Sequence, residues 1–260
     1  MNFGVQTFTV RKYQKKDIEA AYLPLIRLGI KDYEIARIKF NRKNALRVKE
    51  LIEKYGIRVA AIQVKPKQVF DEVEAVVEFC RITGCKNVVI SMLPFECILG
   101  SEEKFYEFLA RLDKQYDLYA AQGIELAYHH HNWEYISLSN RKTRMDELIE
   151  RTERIKFVHD TYWTTKSGFS AEQQIKRFGN RLLGIHLRDL KLYQKGLNVL
   201  SRDAAVGDGV IDFVSVLSSA VKVGCGYFVI EQKTNQPYEE LAKAYECCLR
   251  IEEHIREGVE

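Results

Sequence analysis

Proline is scarce in this chain, with four in 260 residues and no Pro/Ser-rich linker among them. No low-complexity tract interrupts the sequence either, so composition marks no boundary and a single domain spanning residues 1–260 is expected. No apolar run approaches the 18 or so residues that a membrane-spanning helix needs, and "MNFGVQTFTVRKY" lacks the apolar core of an export signal. The six cysteines, Cys80, Cys85, Cys97, Cys225, Cys247 and Cys248, include no CxxC pair and no even spacing. Cys247 and Cys248 are adjacent and cannot both face one metal from a regular helix. The cysteines therefore read as buried thiols in a reducing cytoplasm, not as a zinc site or a disulfide framework. Charge of one sign is lacking as well: 40 basic residues stand against 36 acidic ones, a net of +4. The longest basic cluster, around residues 141–144, has no interleaved aromatics, so neither a nucleic acid nor a membrane is expected as a partner. The sequence leaves open assembly into a homo-oligomer.

What is present is alternation. Apolar strand-like runs ("NFGVQTF", "DYEIAR", "RVAAIQV", "NVVISML", "IELAYHH", "KFVHDTYW", "LLGIHL", "YFVIEQ") are separated by amphipathic helical stretches such as "NALRVKELIEKYG" and "VFDEVEAVVEFCRITG". In the first helical stretch Leu46, Val48, Leu51 and Ile52 form an apolar stripe, and the closing "YG" is a C-cap signal. Eight strands alternating with about eight helices predict a closed α/β barrel of the (β/α)8 TIM type. The rival is a doubly wound open sheet. It would normally show a glycine-rich phosphate loop after its first strand, and "GVQTFTVRKY" has none.

In such a barrel the C-terminal ends of all strands open on one face, where chemistry is built. "AYHHHNWEY" at 127–135 places His129, His130, His131, Asn132 and Glu134 at the fifth strand end. The sixth strand ends in His159 and Asp160, the seventh in His186, Arg188 and Asp189, and the eighth in Glu231 and Gln232. Glu134, Asp160, His186 and Glu231, one from each of four adjacent strands, form a mixed oxygen and nitrogen donor set. It suits Mn²⁺ or Mg²⁺, with Zn²⁺ or Co²⁺ as alternatives. Simpler readings exist for each residue: an ion pair of Glu231 with Arg188, a turn cap at Asp160, a core histidine at His186. Strand alternation puts His129 and His131 on one face, as groups that contact substrate or support the ligands, and turns His130 away. Trp163 and Trp133 could each stack on a sugar ring, and Arg188 and Lys191 could orient substrate oxygens.

These residues resemble the sugar phosphate isomerase/epimerase family of xylose isomerase-like TIM barrels, which includes ketose 3-epimerases and inosose dehydratases. "AYHHHNWEY" is similar to the family's Y-H-N-H-D-F-E-F motif and "HDTYWTTKSG" to its D-T-Y-W-x-x-x-x-G. "GIHLRDL" stands where members read L-H-L-K-D, "AVGDGVIDFVSVL" is similar to V-G-E-G-x-I-D-W-x-x-I-L, and "YFVIEQ" to Y-x-V-x-E-Q. The resemblance spans the barrel, with its specific motifs between about residues 120 and 235. It implies the metal set Glu134, Asp160, His186 and Glu231, with His129 or His131 as the fallback for Glu134. Asn132 replaces the motif's aspartate and Arg188 its usual lysine.

The implied activity is that of a metal-dependent isomerase in carbohydrate metabolism, a sugar isomerase or epimerase. Glu134 and Glu231 would move a proton next to a carbonyl of a keto-sugar or cyclic polyol, with the metal stabilising the enediolate. The connection "KLYQKGLNVLSRDAAVGDG" is expected to close over the mouth. It carries Lys191, Lys195 and Arg202 but no glycine-rich anion cradle, so an unphosphorylated substrate is expected. A dehydratase with the same metal and enolate is the first alternative, and a catalytically inactive sugar-binding barrel the second. A DNA-repair nuclease of this fold would need histidines in earlier strand loops, and no histidine precedes His129.

Overall fold

The computed structural model describes residues 1–258. Eight parallel strands close into a barrel: β1 (Phe3–Gln6), β2 (Asp32–Ala36), β3 (Arg58–Val64), β4 (Asn87–Ile90), β5 (Glu125–His129), β6 (Lys156–Asp160), β7 (Leu182–Leu187) and β10 (Tyr227–Ile230). Each pairs with its sequence neighbour, except that β7 passes to β10 and β10 closes on β1. Two further strands, β8 (Asp189–Lys195) and β9 (Asn198–Ala204), form a separate antiparallel hairpin between β7 and β10. All eight barrel strands correspond to apolar runs in the sequence. The hairpin lies in the connection expected to close over the mouth, where no strand was expected. Its strands are largely solvated, so they lack the apolar signature by which buried strands are recognised.

Two apolar layers hold the barrel. Ala61, Val89, Ala127, Val158, Tyr227 and Val229 pack in its interior, where mostly small side chains fit the narrow lumen. The larger cluster lies between the outer strand faces and the helices. It includes Tyr33, Ile62, Tyr128 and Phe157 from the strands, with Val48, Phe79 and Ile175 from the helices. Helix Arg42–Tyr55 ends on Gly56 at φ +64°, as the sequence predicts. The stretch expected as one helix, "VFDEVEAVVEFCRITG", is broken at Glu72 into Pro66–Asp71 and Val73–Thr83. No described helix is long and apolar enough to cross a membrane.

Candidate active site

Side-chain parity along the strands builds the site. Ala127, Val158 and Val229 face the lumen, as does Gly184, whose missing Cβ leaves room for the Tyr227 ring. The residue two positions further along each strand must face the same way, now at the barrel's mouth. Those residues are His129, Asp160, His186 and Glu231. Each offers one donor atom, and the four atoms lie within 4.8 Å of one another.

The expected fifth-strand ligand, Glu134, is not among them, and the structure corrects that placement. Glu134 falls beyond β5 in the short 3-10 turn Trp133–Tyr135, fully buried. Its carboxylate accepts the Tyr128 hydroxyl and, at 2.9 Å, the His131 backbone N–H, which fixes the turn after the strand. Burial raises its pKa. His129 occupies the fifth-strand place instead. His130 turns outward against Phe178, with its Nε2 3.1 Å from His159 Nδ1.

A cation suits the four converging groups. His129 Nε2 and His186 Nδ1 are buried and face only carboxylates, Asp160 at 3.4 Å and Glu231 at 3.0 Å, a state that needs a shared proton or an ion to take the imidazole lone pair. His186 Nε2 donates to Glu34 at 2.8 Å, which in the neutral ring leaves the Nδ1 lone pair toward Asp160 and Glu231. Burial opposes charge on this ring, yet Glu34 and Glu231 raise His186 to about 10. A pocket that anionic holds a positive charge, either a proton or a metal ion. Asp160 combines two tasks: Oδ1 caps the following helix by accepting from Trp163 N at 3.0 Å, and Oδ2 lies 3.4 Å from His129 Nε2. Against the cost of burial, Arg188 and then His129 hold Asp160 well below the usual carboxylate range.

Sequence reasoning missed Glu34. This fully buried carboxylate on β2 reaches across the lumen to His186 and accepts the Tyr227 hydroxyl at 2.6 Å. Its signal was a lone acid inside the apolar run "YEIA", on the face opposite Tyr33 and Ile35. Arg188, expected at the substrate, is also an ion-pair hub. Its Nη1 lies 3.1 Å from Asp160 and 3.2 Å from Glu231, and the guanidinium grips Asp203 of β9, tying the hairpin to the site. His129, His131, Trp163, Arg188 and Lys191 all line one cleft of about 1820 Å³ above the four donors. His131 Nδ1 and Trp163 Nε1 are buried there without partners, and burial lowers His131 to about 3, a neutral imidazole at pH 7.

A barrel with its candidate site at the C-terminal ends of its strands has the arrangement of TIM-barrel enzymes. Residues 24–250 match the family model of the xylose isomerase-like TIM barrel, and the chain belongs to that family. An inosose dehydratase of Geobacillus thermodenitrificans is 28% identical over 171 residues, 60% of this chain and 55% of that protein. The chain thus spans about half the length of the curated relatives it matches. A sugar phosphate isomerase/epimerase of Parabacteroides distasonis superposes with a TM-score of 0.75 at 16% identity, covering 93% of this chain and 91% of that one. An IolI protein with a bound zinc atom superposes at 0.71 and 16% identity, covering 96% and 98%.

Proposed function

We propose that the chain is a metal-dependent lyase that removes water from a β-hydroxy ketone of the cyclic-polyol or sugar type. The observation that carries this reading is the convergence of two imidazoles and two carboxylates at the barrel mouth, with Glu231 the one glutamate among the four donors. Epimerisation with two glutamates would need Glu134 facing Glu231 across the substrate, and Glu134 is held by Tyr128 and the His131 backbone. The likeness to a protein named inosose dehydratase supports the same choice.

A divalent ion held by His129, Asp160, His186 and Glu231 (Mn²⁺ or Mg²⁺, with Zn²⁺ or Co²⁺ as alternatives) would polarise the carbonyl and offset the charge of the enolate oxygen. Glu231 takes the proton from the α-carbon, and Arg188 and Lys191 hold substrate oxygens. The departing β-hydroxyl takes a proton from the Lys166 ammonium, which lines the same cleft and sits 3.2 Å from the Tyr162 hydroxyl. The carbonyl then re-forms in conjugation with the new double bond, and Glu231 returns its proton through solvent to Lys166. Trp163 packs against the substrate ring. A single base can also carry a proton between adjacent carbons of one face, so Glu231 supports sugar isomerisation as the second reading.

The test is incubation of manganese-loaded protein with inososes and keto-sugars in D₂O. Loss of one water mass from a substrate selects the lyase. Deuterium at one carbon without water loss selects the isomerase. Neither outcome, with metal bound, would leave the sugar-binding barrel and end the catalytic reading.

A further inference from the structure

The cleft is far more basic than the chain as a whole. Thirteen lysines and arginines line it against eight aspartates and glutamates, a surplus of five where the entire sequence carries a net of +4. The rest of the surface is therefore close to neutral, and the positive field is focused on the mouth.

Two of these cations share one aromatic ring. Arg11, just after β1, and Arg37, just after β2, both bring their guanidinium carbons to the ring of Phe8, at 3.8 and 5.1 Å from its centroid. Arg11 donates to the Phe8 carbonyl at 2.8 Å, which fixes its position. Among the described residues neither the half-buried Arg11 nor the exposed Arg37 has an ion-pair partner, whereas the buried Arg188 holds three carboxylates. Burial and then the neighbouring Arg37 lower the pKa of Arg11, whereas Glu231 acts on it in the opposite sense. Arg37 also has φ +62°, the left-handed region that a non-glycine side chain adopts only at a cost. Residues held in that region cluster at ligand-binding positions, and here the backbone turn delivers a guanidinium to the cleft. Gln63 on β3, paired with Ala36 of β2, lines the same cleft with its Nε2 buried and unpartnered.

We propose that Arg11 and Arg37 form a subsite for an anionic group of the substrate, a carboxylate or a phosphate, on the β1–β2 side of the mouth. Two guanidiniums beside one aromatic ring, both lining the same cleft, offer the planar N–H donors that carboxylate and phosphate oxygens accept. The substrate would then meet the four metal-binding groups at its hydroxy-ketone end and the arginine pair at its charged end. This deepens the function proposed above and rests on it for what the other end of the substrate meets. It also revises the expectation drawn from the missing glycine-rich cradle: side chains, not a backbone loop, supply the anion donors.

The experiment uses polyols that have no carbonyl, so that binding is read without turnover. D-glucitol, D-gluconate and D-glucitol 6-phosphate are titrated calorimetrically into metal-stripped protein at low salt. One or both anionic polyols should bind at least about tenfold more tightly than D-glucitol, and which one does identifies the group. The preference should disappear in the Arg11→Gln/Arg37→Gln double variant, with D-glucitol affinity within about twofold of the parent as the control for folding. It should persist in Lys43→Gln, which lies outside the cleft. Equal binding of all three, including failure of all three to bind below about 10 mM, overturns the subsite, and so does a preference that survives the double variant. Because the assay uses neither metal nor turnover, failure of the water-loss test leaves its outcome unaffected.

Discussion

Glu34 is separated from His186 by 152 positions in sequence, yet its carboxylate decides which nitrogen of that ring faces the candidate metal. A carboxylate behind a ligating imidazole fixes its tautomer and raises its basicity, and losing such a partner typically weakens metal binding by about 10- to 100-fold. Glu34→Gln is therefore expected to lower manganese affinity by that factor with the far-UV circular dichroism unchanged. His129→Ala removes a donor and should lower bound metal in elemental analysis. Glu134→Gln should leave metal stoichiometry intact and lower the melting temperature, since it weakens only the turn after β5. Full metal in His129→Ala and loss of metal in Glu134→Gln would reverse the assignment. The contrast also shows how far these residues were legible. Asp160, His186 and Glu231 sit at strand ends in phase with Val158, Gly184 and Val229, so periodicity alone finds them. His129 is in phase with Ala127 in the same way. Glu134 was preferred for its chemistry, but it lies past the end of the strand, where strand parity no longer governs direction.

Elements were legible where burial writes a pattern and illegible where it does not. Every barrel strand is apolar because both its faces are covered, and every long helix carries one apolar stripe. The β8–β9 hairpin carries no such mark. It is held at its base by polar contacts that depend on tertiary position. Asp189 is fully buried and accepts the backbone N–H groups of Leu190, Gly207, Gly209 and Ile211, at 2.8, 3.0, 2.8 and 3.2 Å. Gly209 approaches so closely that a Cβ there would fall 2.2 Å from the Asp189 carboxylate. One side chain thus joins both ends of the 189–211 segment, with Arg188 and Asp203 as a second clasp. Asp189→Ala strands up to four N–H groups, roughly 1–3 kcal/mol for each that water does not reach. The expected result is rapid proteolysis confined to 190–211, with weaker substrate binding and a barrel that remains folded. Cleavage spread evenly along the chain would show that the hairpin is held some other way.

For the molecule as a whole, the two apolar layers and the site are nearly independent sources of stability. The strands close on themselves and pack against helices through apolar residues that are not among the four donors, so the barrel should persist when the ion is removed. The site by itself is a liability. Asp160, Glu231 and Asp203 share the single guanidinium of Arg188, and two buried imidazole nitrogens face carboxylates. An ion that binds only the folded state stabilises it by about 2.7 kcal/mol at 100 times its dissociation constant. In a chain of this size each kcal/mol moves the melting temperature by about 2–4 °C, so saturating manganese should raise it by about 5–10 °C over the chelator-stripped protein. The rise should vanish in His129→Ala and persist in Glu134→Gln, and stripping should leave the far-UV spectrum of the wild type unchanged. Scanning calorimetry with and without manganese measures the two melting shifts, and circular dichroism the spectrum. Unfolding on chelation would mean the ion holds the barrel together, and no shift at saturating manganese would mean that Arg188 and the His186 proton already satisfy these carboxylates.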